Sequence, residues 1–139
     1  MIDKKDLLII TELKENSRKS VRDIAKKTKL RPSTVHSRIQ KLVTDRIIEK
    51  FTVKLDNHKS GESFIVFILV SANKKIPNAF FQNNCVKEVF GITGEYDLIM
   101  KCKFKDIDEF NKFVLGFRNY PQINKTVTMV GTVTLKEEI

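Results

Sequence analysis

The chain has 139 residues, of which 41% are hydrophobic and 31% are charged, as is ordinary for a folded protein. Residues 1–60 carry 16 basic and 8 acidic side chains, so they hold 16 − 8 = +8 of the formal net charge of +9. Because no apolar run could span a bilayer and no signal peptide is visible, we expect a cytoplasmic protein with no membrane partner.

The first part of the chain predicts three short helices with a tight turn between the second and the third. Apolar residues recur at helical spacing over residues 3–15, where Asp3 is the expected N-cap. Ser20 is expected to cap the second helix, and Pro32 suits the first turn of a third helix that reaches about Thr44. This order predicts a helix-turn-helix.

Residues 47–55 follow the third predicted helix and alternate in polarity. Phe51, Val53 and Leu55 alternate with polar residues, a pattern typical of a half-buried strand. A strand at this position would make the first domain a winged helix-turn-helix. Residues 56–61 are polar and predict a linker, so we place the domains at 1–60 and 61–139.

The outer face of the third predicted helix carries hydroxyl, amide, imidazole and cationic groups and no carboxylate, which suits a helix in the major groove. Gln40 could pair with adenine, Arg38 with guanine or phosphate, while Arg18 and Ser20 would contact the DNA backbone. The residues expected to bind DNA are Arg18, Ser20, Arg31, Ser33, Thr34, His36, Ser37, Arg38, Gln40, Lys41 and Lys50. The alternative is an ordinary solvated helix face; the local charge and the short helix-turn-helix spacing favour DNA.

Residues 61–139 predict strands and helices in the order strand-helix-strand-strand-helix-strand. The predicted elements are a strand over 64–70, a short helix over 77–81, strands over 86–94 and 96–100, a helix over 106–120 and a strand over 123–135. Together with the first part, this order predicts an α+β fold: a winged helix-turn-helix followed by a ferredoxin-like βαββαβ domain.

Several segments follow one common pattern. In the first half these are residues 2–6, Asn16-Ser17-Arg18, Ile24-Ala25-Lys26-Lys27, residues 33–39, Leu42 and Ile47-Ile48. In the second half they are Gly-Ile-Thr-Gly-Glu-Tyr-Asp at 91–97, then Pro121, Ile123 and Thr126-Val127-Thr128. Taken together and in this order, they resemble the Lrp/AsnC (feast/famine) transcriptional regulators: residues 91–97 resemble the family's Gly-Xaa-Tyr-Asp hairpin, and the last set resembles its closing strand. The resemblance covers essentially the whole chain.

The resemblance implies a DNA-binding domain and a second domain that builds dimers and often octamers, and that in many members binds an amino acid. The implied partners are double-stranded promoter DNA with a roughly palindromic site, further copies of the chain in a homodimer, tetramer or octamer, an amino acid, and the transcription machinery. Lys29 and Arg46 stand where the family usually has glycine, which implies mild backbone strain there. Arg31 replaces a capping serine, a loss of about 0.5–2 kcal/mol.

The hairpin and the last strand hold the residues expected to bind an effector. Gly94 can adopt a positive φ, and a turn of that kind presents N–H groups to a carboxylate, while Asp97 could hold an ammonium group. The full set is Gly91, Thr93, Gly94, Glu95, Tyr96, Asp97, Thr126 and Thr128. Two interpretations stay open, because Gly94 could equally serve only the turn, and Asp97 could be a structural acceptor.

These features favour a sequence-specific DNA-binding transcriptional regulator, either an activator or a repressor, that acts as a dimer or higher oligomer and responds to an amino acid. The alternative is an architectural, nucleoid-like protein, which would bind DNA with little sequence preference. We expect no enzyme and no cofactor or metal, since His36 and His58 lack partners at metal-ligand spacing and no Gly-rich phosphate loop is present.

Overall fold

The computed structural model describes all 139 residues, and the chain forms two compact units. The first comprises Met1–Lys54 together with Ile139, and the second comprises Leu55–Glu138. None of the helices combines the length and the apolar character that a membrane crossing requires.

The first unit contains helices α1 (Lys4–Glu15), α2 (Val21–Thr28) and α3 (Pro32–Thr44), so the predicted helix-turn-helix is confirmed. Asp3 and Asp6 form a capping box at α1: the Asp6 N–H donates to Asp3 Oδ1 at 2.9 Å, and the Asp3 N–H donates to Asp6 Oδ2 at 3.0 Å. At α2, Ser20 Oγ accepts the Asp23 N–H at 3.1 Å.

The turns after α2 and α3 both use a left-handed residue. Lys29 has φ = 57° and Arg46 has φ = 55°, which confirms the strain expected at these positions. The core of the first unit is small: Ile9, Ile24, Ala25 and Val35 form one buried cluster, and Leu42 is buried outside it. The first unit therefore stabilises three helices with little apolar material.

The prediction of a strand over residues 47–55 is wrong. Residues 49–56 have no regular secondary structure, and Phe51, Val53 and Leu55 are exposed. The first unit contains no other strand, so a strand here would have no neighbour to satisfy its backbone hydrogen bonds. The helix-turn-helix is thus present without the wing strand that the polarity alternation predicted.

The second unit is a four-stranded antiparallel sheet in the order β2-β3-β1-β4. The strands are β1 (Phe64–Ala72), β2 (Val86–Gly91), β3 (Leu98–Phe104) and β4 (Ile123–Val130), and α4 (Ile107–Leu115) connects β3 with β4. A helical turn between β1 and β2 completes the order, so the predicted ferredoxin-like arrangement is confirmed.

Several elements of the second unit differ from the expectation. β2 ends at Gly91 instead of residue 94, β3 runs over Leu98–Phe104 instead of 96–100, and α4 ends at Leu115, after which Gly116–Asn119 form a 3₁₀ helix. The turn between β1 and β2 is a five-residue 3₁₀ helix, Asn78–Gln82, closed by the Phe80 N–H donating to the Pro77 carbonyl at 3.0 Å, and not an α-helix. The last strand ends at Val130 instead of residue 135: its ladder with β1 stops at the Val66–Val130 pair, beyond which the Gly131 N–H donates one more hydrogen bond to the Ile65 carbonyl at 2.8 Å.

The sheet has one covered face and one open face. Cross-strand pairs lie on the same face, and the covered face presents Val66, Ile68 and Met100 to the helical segments, where Phe80 and Phe113 pack. The open face carries a row that crosses all four strands, and its members are Phe90, Ile99, Leu69 and Val127. Phe90 is 60% exposed in this row.

Candidate nucleic-acid interface and effector hairpin

Helix α3 presents the polar face that the sequence predicted. Val35 and Leu42 are buried, which leaves the opposite side of the helix in solvent. The exposed side chains on that side are Ser33, His36, Ser37, Gln40 and Lys41, and Thr34 lies half-buried beside them. No carboxylate lies within the helix, so nothing on this face would repel a phosphate.

The N-terminus of α3 has no side-chain cap. Arg31 occupies the N-cap position with φ = −70° and ψ = 142°, and its side chain accepts no hydrogen bond, as expected from its replacement of a serine. The first-turn N–H groups of α3 are therefore open to an external acceptor, and the exposed guanidinium stands beside them. This arrangement can hold a phosphate oxygen.

The expected backbone contacts lie outside α3. Arg18 is exposed in the turn before α2, where its N–H donates to Asn16 Oδ1 at 3.0 Å. Ser20 is occupied as the cap of α2, although its hydroxyl proton stays available as a donor. Lys50 is exposed in the extended segment after α3, and this segment is held by Ser17 Oγ donating to the Thr52 carbonyl at 3.2 Å.

Arg38 differs from the other candidate residues, because its guanidinium already binds two carboxylates of α1. Its Nη1 lies 2.6 Å from Asp3 Oδ2 and 2.9 Å from Asp6 Oδ1. These contacts raise the pKa of Arg38, mainly through the Asp3 hydrogen bond. The pKa of Asp3 falls to about 2, chiefly because its carboxylate accepts the Asp6 N–H and secondly because of Arg38. No pattern in the sequence indicated this pairing.

The effector hairpin, residues 91–97 between β2 and β3, is fastened to the end of β1. Gly94 has φ = 113°, as expected for the turn. The Asp97 N–H donates to the Val70 carbonyl at 2.9 Å, and Asp97 Oδ2 accepts the Ala72 N–H at 2.8 Å. Asp97 is therefore a structural acceptor, although its side chain remains exposed. At Gly91 a Cβ would meet only the Asp97 carbonyl, at 4.0 Å, so no close backbone approach requires glycine there.

Lys125 on β4 contacts two residues of the effector hairpin, Glu95 and Tyr96. It was not among the residues expected from the sequence. Its Nζ lies 2.5 Å from Glu95 Oε1 and 5.0 Å from the centroid of the Tyr96 ring. The Glu95 contact raises the pKa of Lys125 and lowers that of Glu95. Alternation along β4 places the expected residue Thr126 on the other face of the sheet, where it pairs with Val70.

A cleft of about 320 Å³ opens beside Asp97. Ala72, Leu98, Ile76 and Phe81 supply apolar walls, and two lysines of the loop after β1, Lys74 and Lys75, lie on its rim. Opposite charges thus flank an apolar wall. Thr128, Gly91 and Thr93 do not line this cleft, and no sequence pattern pointed to the two lysines.

The cysteines do not form a nucleophilic site. Cys102 is buried in the sheet, and burial raises its thiol pKa to about 12. Burial also raises the pKa of Cys85, so neither thiol is readily converted to the reactive thiolate. No group of three or more His, Cys, Asp or Glu side chains has the arrangement of a metal site.

Comparisons with known proteins cover both units. The AsnC-type helix-turn-helix domain matches residues 2–43, and the Lrp/AsnC ligand binding domain matches residues 65–139. An uncharacterized HTH-type transcriptional regulator of Pyrococcus furiosus is 33% identical over 147 residues, which span 100% of this chain and 98% of that protein.

Two solved structures share the fold along the whole chain. B. subtilis LrpC superposes with a TM-score of 0.86 at 25% identity and covers 99% of each chain. A transcriptional regulator of Neisseria meningitidis, solved in complex with L-Met, gives a TM-score of 0.88 at 23% identity, over 99% of this chain and 94% of that one.

Proposed function

Because the chain belongs to the Lrp/AsnC family of transcriptional regulators, we propose that it binds promoter DNA sequence-specifically, with α3 in the major groove. The observation that carries this proposal is the exposed, carboxylate-free face of α3. Ser37 and Gln40 would read base edges, because both side chains are exposed near the middle of the helix. Ser33, Thr34, His36 and Lys41 would extend this contact along the groove.

The DNA backbone would be held by groups on either side of α3. Arg31 and the uncapped first turn of α3 would bind one phosphate. Arg18 and Ser20 at the start of α2, and Lys50 after α3, would bind others. Contacts of this kind fix the position of the protein on DNA and add affinity for every sequence equally.

We further propose that the protein acts as a homodimer, and in tetramers or octamers built from it, on a roughly palindromic site. The open face of the sheet supports this, since it exposes an apolar row that includes Phe90 and Val127. Apolar patches of this kind on a soluble protein typically mark protein interfaces. Two copies joined through their second units would present two α3 helices to two half-sites.

The second unit would bind an α-amino acid at the hairpin and the adjoining cleft. The Neisseria meningitidis regulator of the same fold was solved with L-Met. In this chain, Asp97 could accept an ammonium group, while Lys74 or Lys75 could pair with a carboxylate, and the cleft between them has apolar walls for a side chain. The effector would change DNA affinity by favouring one assembly of the subunits.

A gel-shift titration on the DNA upstream of the protein's own gene tests these proposals. An unrelated duplex of equal length competes, at two salt concentrations, with and without a mixture of amino acids. Sequence-specific regulation requires complexes that resist the competitor, and Gln40→Ala or Ser37→Ala should reduce that discrimination. Arg18→Ala should weaken the binding of the protein to both duplexes by the same factor. Equal binding of both duplexes that collapses with salt would instead favour an architectural protein.

The effector has its own matched pair of variants. Asp97→Asn keeps an oxygen that can accept the Ala72 N–H but removes the negative charge. We expect this variant to bind DNA normally and to lose the response to the amino-acid mixture. Glu62→Gln, a change of charge at a residue outside the cleft lining, should retain the response. A full response from Asp97→Asn would exclude this carboxylate as the ammonium ligand.

A further inference from the structure

The side chain of Arg38 leaves the recognition helix toward α1. Its guanidinium lies 2.6 Å from Asp3 Oδ2 and 2.9 Å from Asp6 Oδ1, and only 26% of the side chain is exposed. An arginine whose donors are taken up by carboxylates presents fewer of them to DNA. Of the cations on α3, Lys41 is exposed and has no ion pair, whereas Arg38 is bound.

The two carboxylates that receive Arg38 are themselves fixed. Asp3 and Asp6 exchange hydrogen bonds with each other's backbone N–H in the capping box of α1, so both side chains are held before Arg38 arrives. A pre-organised acceptor pair loses little side-chain entropy when it binds a guanidinium. The Arg38–Asp3–Asp6 cluster therefore joins the first turn of α1 to the middle of α3.

The position of the Arg38–Asp3–Asp6 cluster allows it to influence the orientation of α3. The apolar core cluster of this unit contains four buried residues, among which Ile9 lies on α1 and Val35 lies on α3. Arg38 lies one residue before Ile39, which packs against this core, so the cluster adds a second, polar connection between the same two helices. Two connections fix the rotation of α3 about its own axis more tightly than one.

We propose that Arg38 is a positioning residue for DNA recognition, which orients α3 through Asp3 and Asp6 and does not itself contact bases or phosphate. The charge of the cluster agrees with this role, because two carboxylates outnumber one guanidinium and leave no net attraction for phosphate. The proposal rests on the proposed function of α3. It replaces the expectation from the sequence that Arg38 pairs with guanine or phosphate.

A positioning role and a DNA-contacting role of Arg38 predict opposite effects of Asp6→Asn on the affinity for the specific duplex. If Arg38 positions α3, Asp6→Asn and Arg38→Gln both loosen the helix. Each should then weaken binding to the specific duplex by roughly tenfold, the size of one impaired base contact, while binding to an unrelated duplex changes little. If Arg38 contacts DNA, Asp6→Asn frees the guanidinium and removes a negative charge, so it should strengthen binding.

The salt dependence of affinity separates the same alternatives. A residue that binds phosphate contributes about one unit to the slope of log affinity against log salt. We expect Arg38→Gln to leave this slope unchanged and Lys50→Gln, an exposed cation that the proposed function assigns to a phosphate, to reduce it. Asp45→Asn is the matched carboxylate control, because Asp45 follows α3 and has no ion pair. This control should not lower sequence discrimination.

Loss of stability alone is excluded in two ways. Far-ultraviolet circular dichroism at the assay temperature shows whether each variant is folded, and a merely destabilised protein would lose affinity for both duplexes equally. The swapped pair Asp6→Arg with Arg38→Glu restores the connection with reversed charges. If Arg38 positions α3, the swapped pair should discriminate between the two duplexes better than Arg38→Glu alone. If Arg38 contacts DNA, the swapped pair should discriminate as poorly as Arg38→Glu alone.

The outcomes distinguish this proposal from the one on which it rests. If the unmutated protein does not discriminate between the duplexes, the proposed function fails and the positioning role fails with it. If it does discriminate, stronger binding by Asp6→Asn or a lower salt slope for Arg38→Gln overturns the positioning role alone.

Discussion

The two units of the molecule are stabilised by different means. In the second unit, the core cluster contains eight buried residues. One of them, Phe80, is in ring contact with four aromatic side chains: Phe81, Phe113, Phe117 and Tyr120. In the first unit, the corresponding cluster contains four buried residues, Leu42 is buried outside it, and polar contacts stabilise the helix ends. These contacts include the Asp3–Asp6 capping box, the Ser20 cap and the pairing of Lys19 with Glu12.

This difference indicates which substitutions each unit is sensitive to. A small apolar core contributes little, because the surface buried on folding shrinks with the size of the unit. Caps and ion pairs, each worth about 1 kcal/mol or less, then form a large part of the net stability of the first unit. The second unit depends on dispersion and burial among its rings, so truncation of its core should have the larger effect.

Phe80→Ala should have the largest effect on stability. The side chain is 4% exposed, and truncation of a buried phenylalanine costs about 3–5 kcal/mol. Urea denaturation measures this, with two probes. Both tyrosines, Tyr96 and Tyr120, lie in the second unit, so their fluorescence reports that unit, whereas far-ultraviolet circular dichroism is dominated by the three helices of the first.

The matched control for Phe80→Ala is Leu115→Ala in α4, because Leu115 is 56% exposed and such surface changes usually stay within about 0.5 kcal/mol. We expect the tyrosine transition of Phe80→Ala to move to lower urea and the circular dichroism transition to move much less. Equal shifts of both transitions would show that the two units unfold as one cooperative body, and the contrast between them would then not describe their stability.

Lys29→Gly tests the first unit at its backbone. Lys29 has φ = 57°, a conformation that costs a residue with a Cβ about 1–2 kcal/mol. Glycine removes this strain but makes the unfolded chain more flexible, by about 0.4–1 kcal/mol. The net expectation is a modest stabilisation, of about 0.5–1 kcal/mol, visible as a higher midpoint in the circular dichroism transition.

Lys27→Gly provides the control for the strained turn, since Lys27 is an exposed residue inside α2 with no need for a positive φ. Glycine there should destabilise by about 1 kcal/mol. Opposite signs for two glycine substitutions so close in the chain would locate the strain at Lys29. Destabilisation by both would mean that the left-handed turn stores no strain that glycine can relieve.

Features that depend on neighbours in the chain could be predicted from the sequence. Asp3 and Ser20 cap helices because the residue and its N–H partner are three positions apart, and the periodicity of Val35 and Leu42 defines the core side of α3. The turn at Gly94 and the strain at Lys29 are local in the same sense. Local chemistry therefore determined the helices, the turns and the exposed candidate residues on α3.

Features that depend on distant partners could not be predicted. Arg38 looked like a DNA contact because its carboxylate partners, Asp3 and Asp6, lie 35 and 32 positions away. Residues 47–55 showed the alternation of a strand, but alternation describes only a side-chain pattern and does not supply a neighbouring strand. The contact of Lys125 with the effector hairpin could not be predicted for the same reason, because Lys125 and Glu95 are 30 positions apart in the chain.

The smallest expected effect concerns the charge of Asp3. Its pKa is about 2 in the folded protein against an ordinary value of 3.8, because it accepts the Asp6 N–H and binds Arg38. For a carboxylate with a lowered pKa, the stabilisation is fully present above 3.8 and is lost as the pH falls toward about 2. Asp3→Asn keeps the capping oxygen but has no such dependence.

The stability difference between the unmutated protein and Asp3→Asn should therefore be constant near neutral pH, shrink below 3.8 and vanish near 2. Urea denaturation of the first unit, followed by circular dichroism across this range, measures the difference. Glu49→Gln, at an exposed residue after α3, should show no comparable change. A difference between the proteins that persists or grows in acid would mean that the Asp3 charge does not stabilise the junction of α1 and α3, and the dependence of the first unit on polar contacts would then have to lie in its uncharged caps.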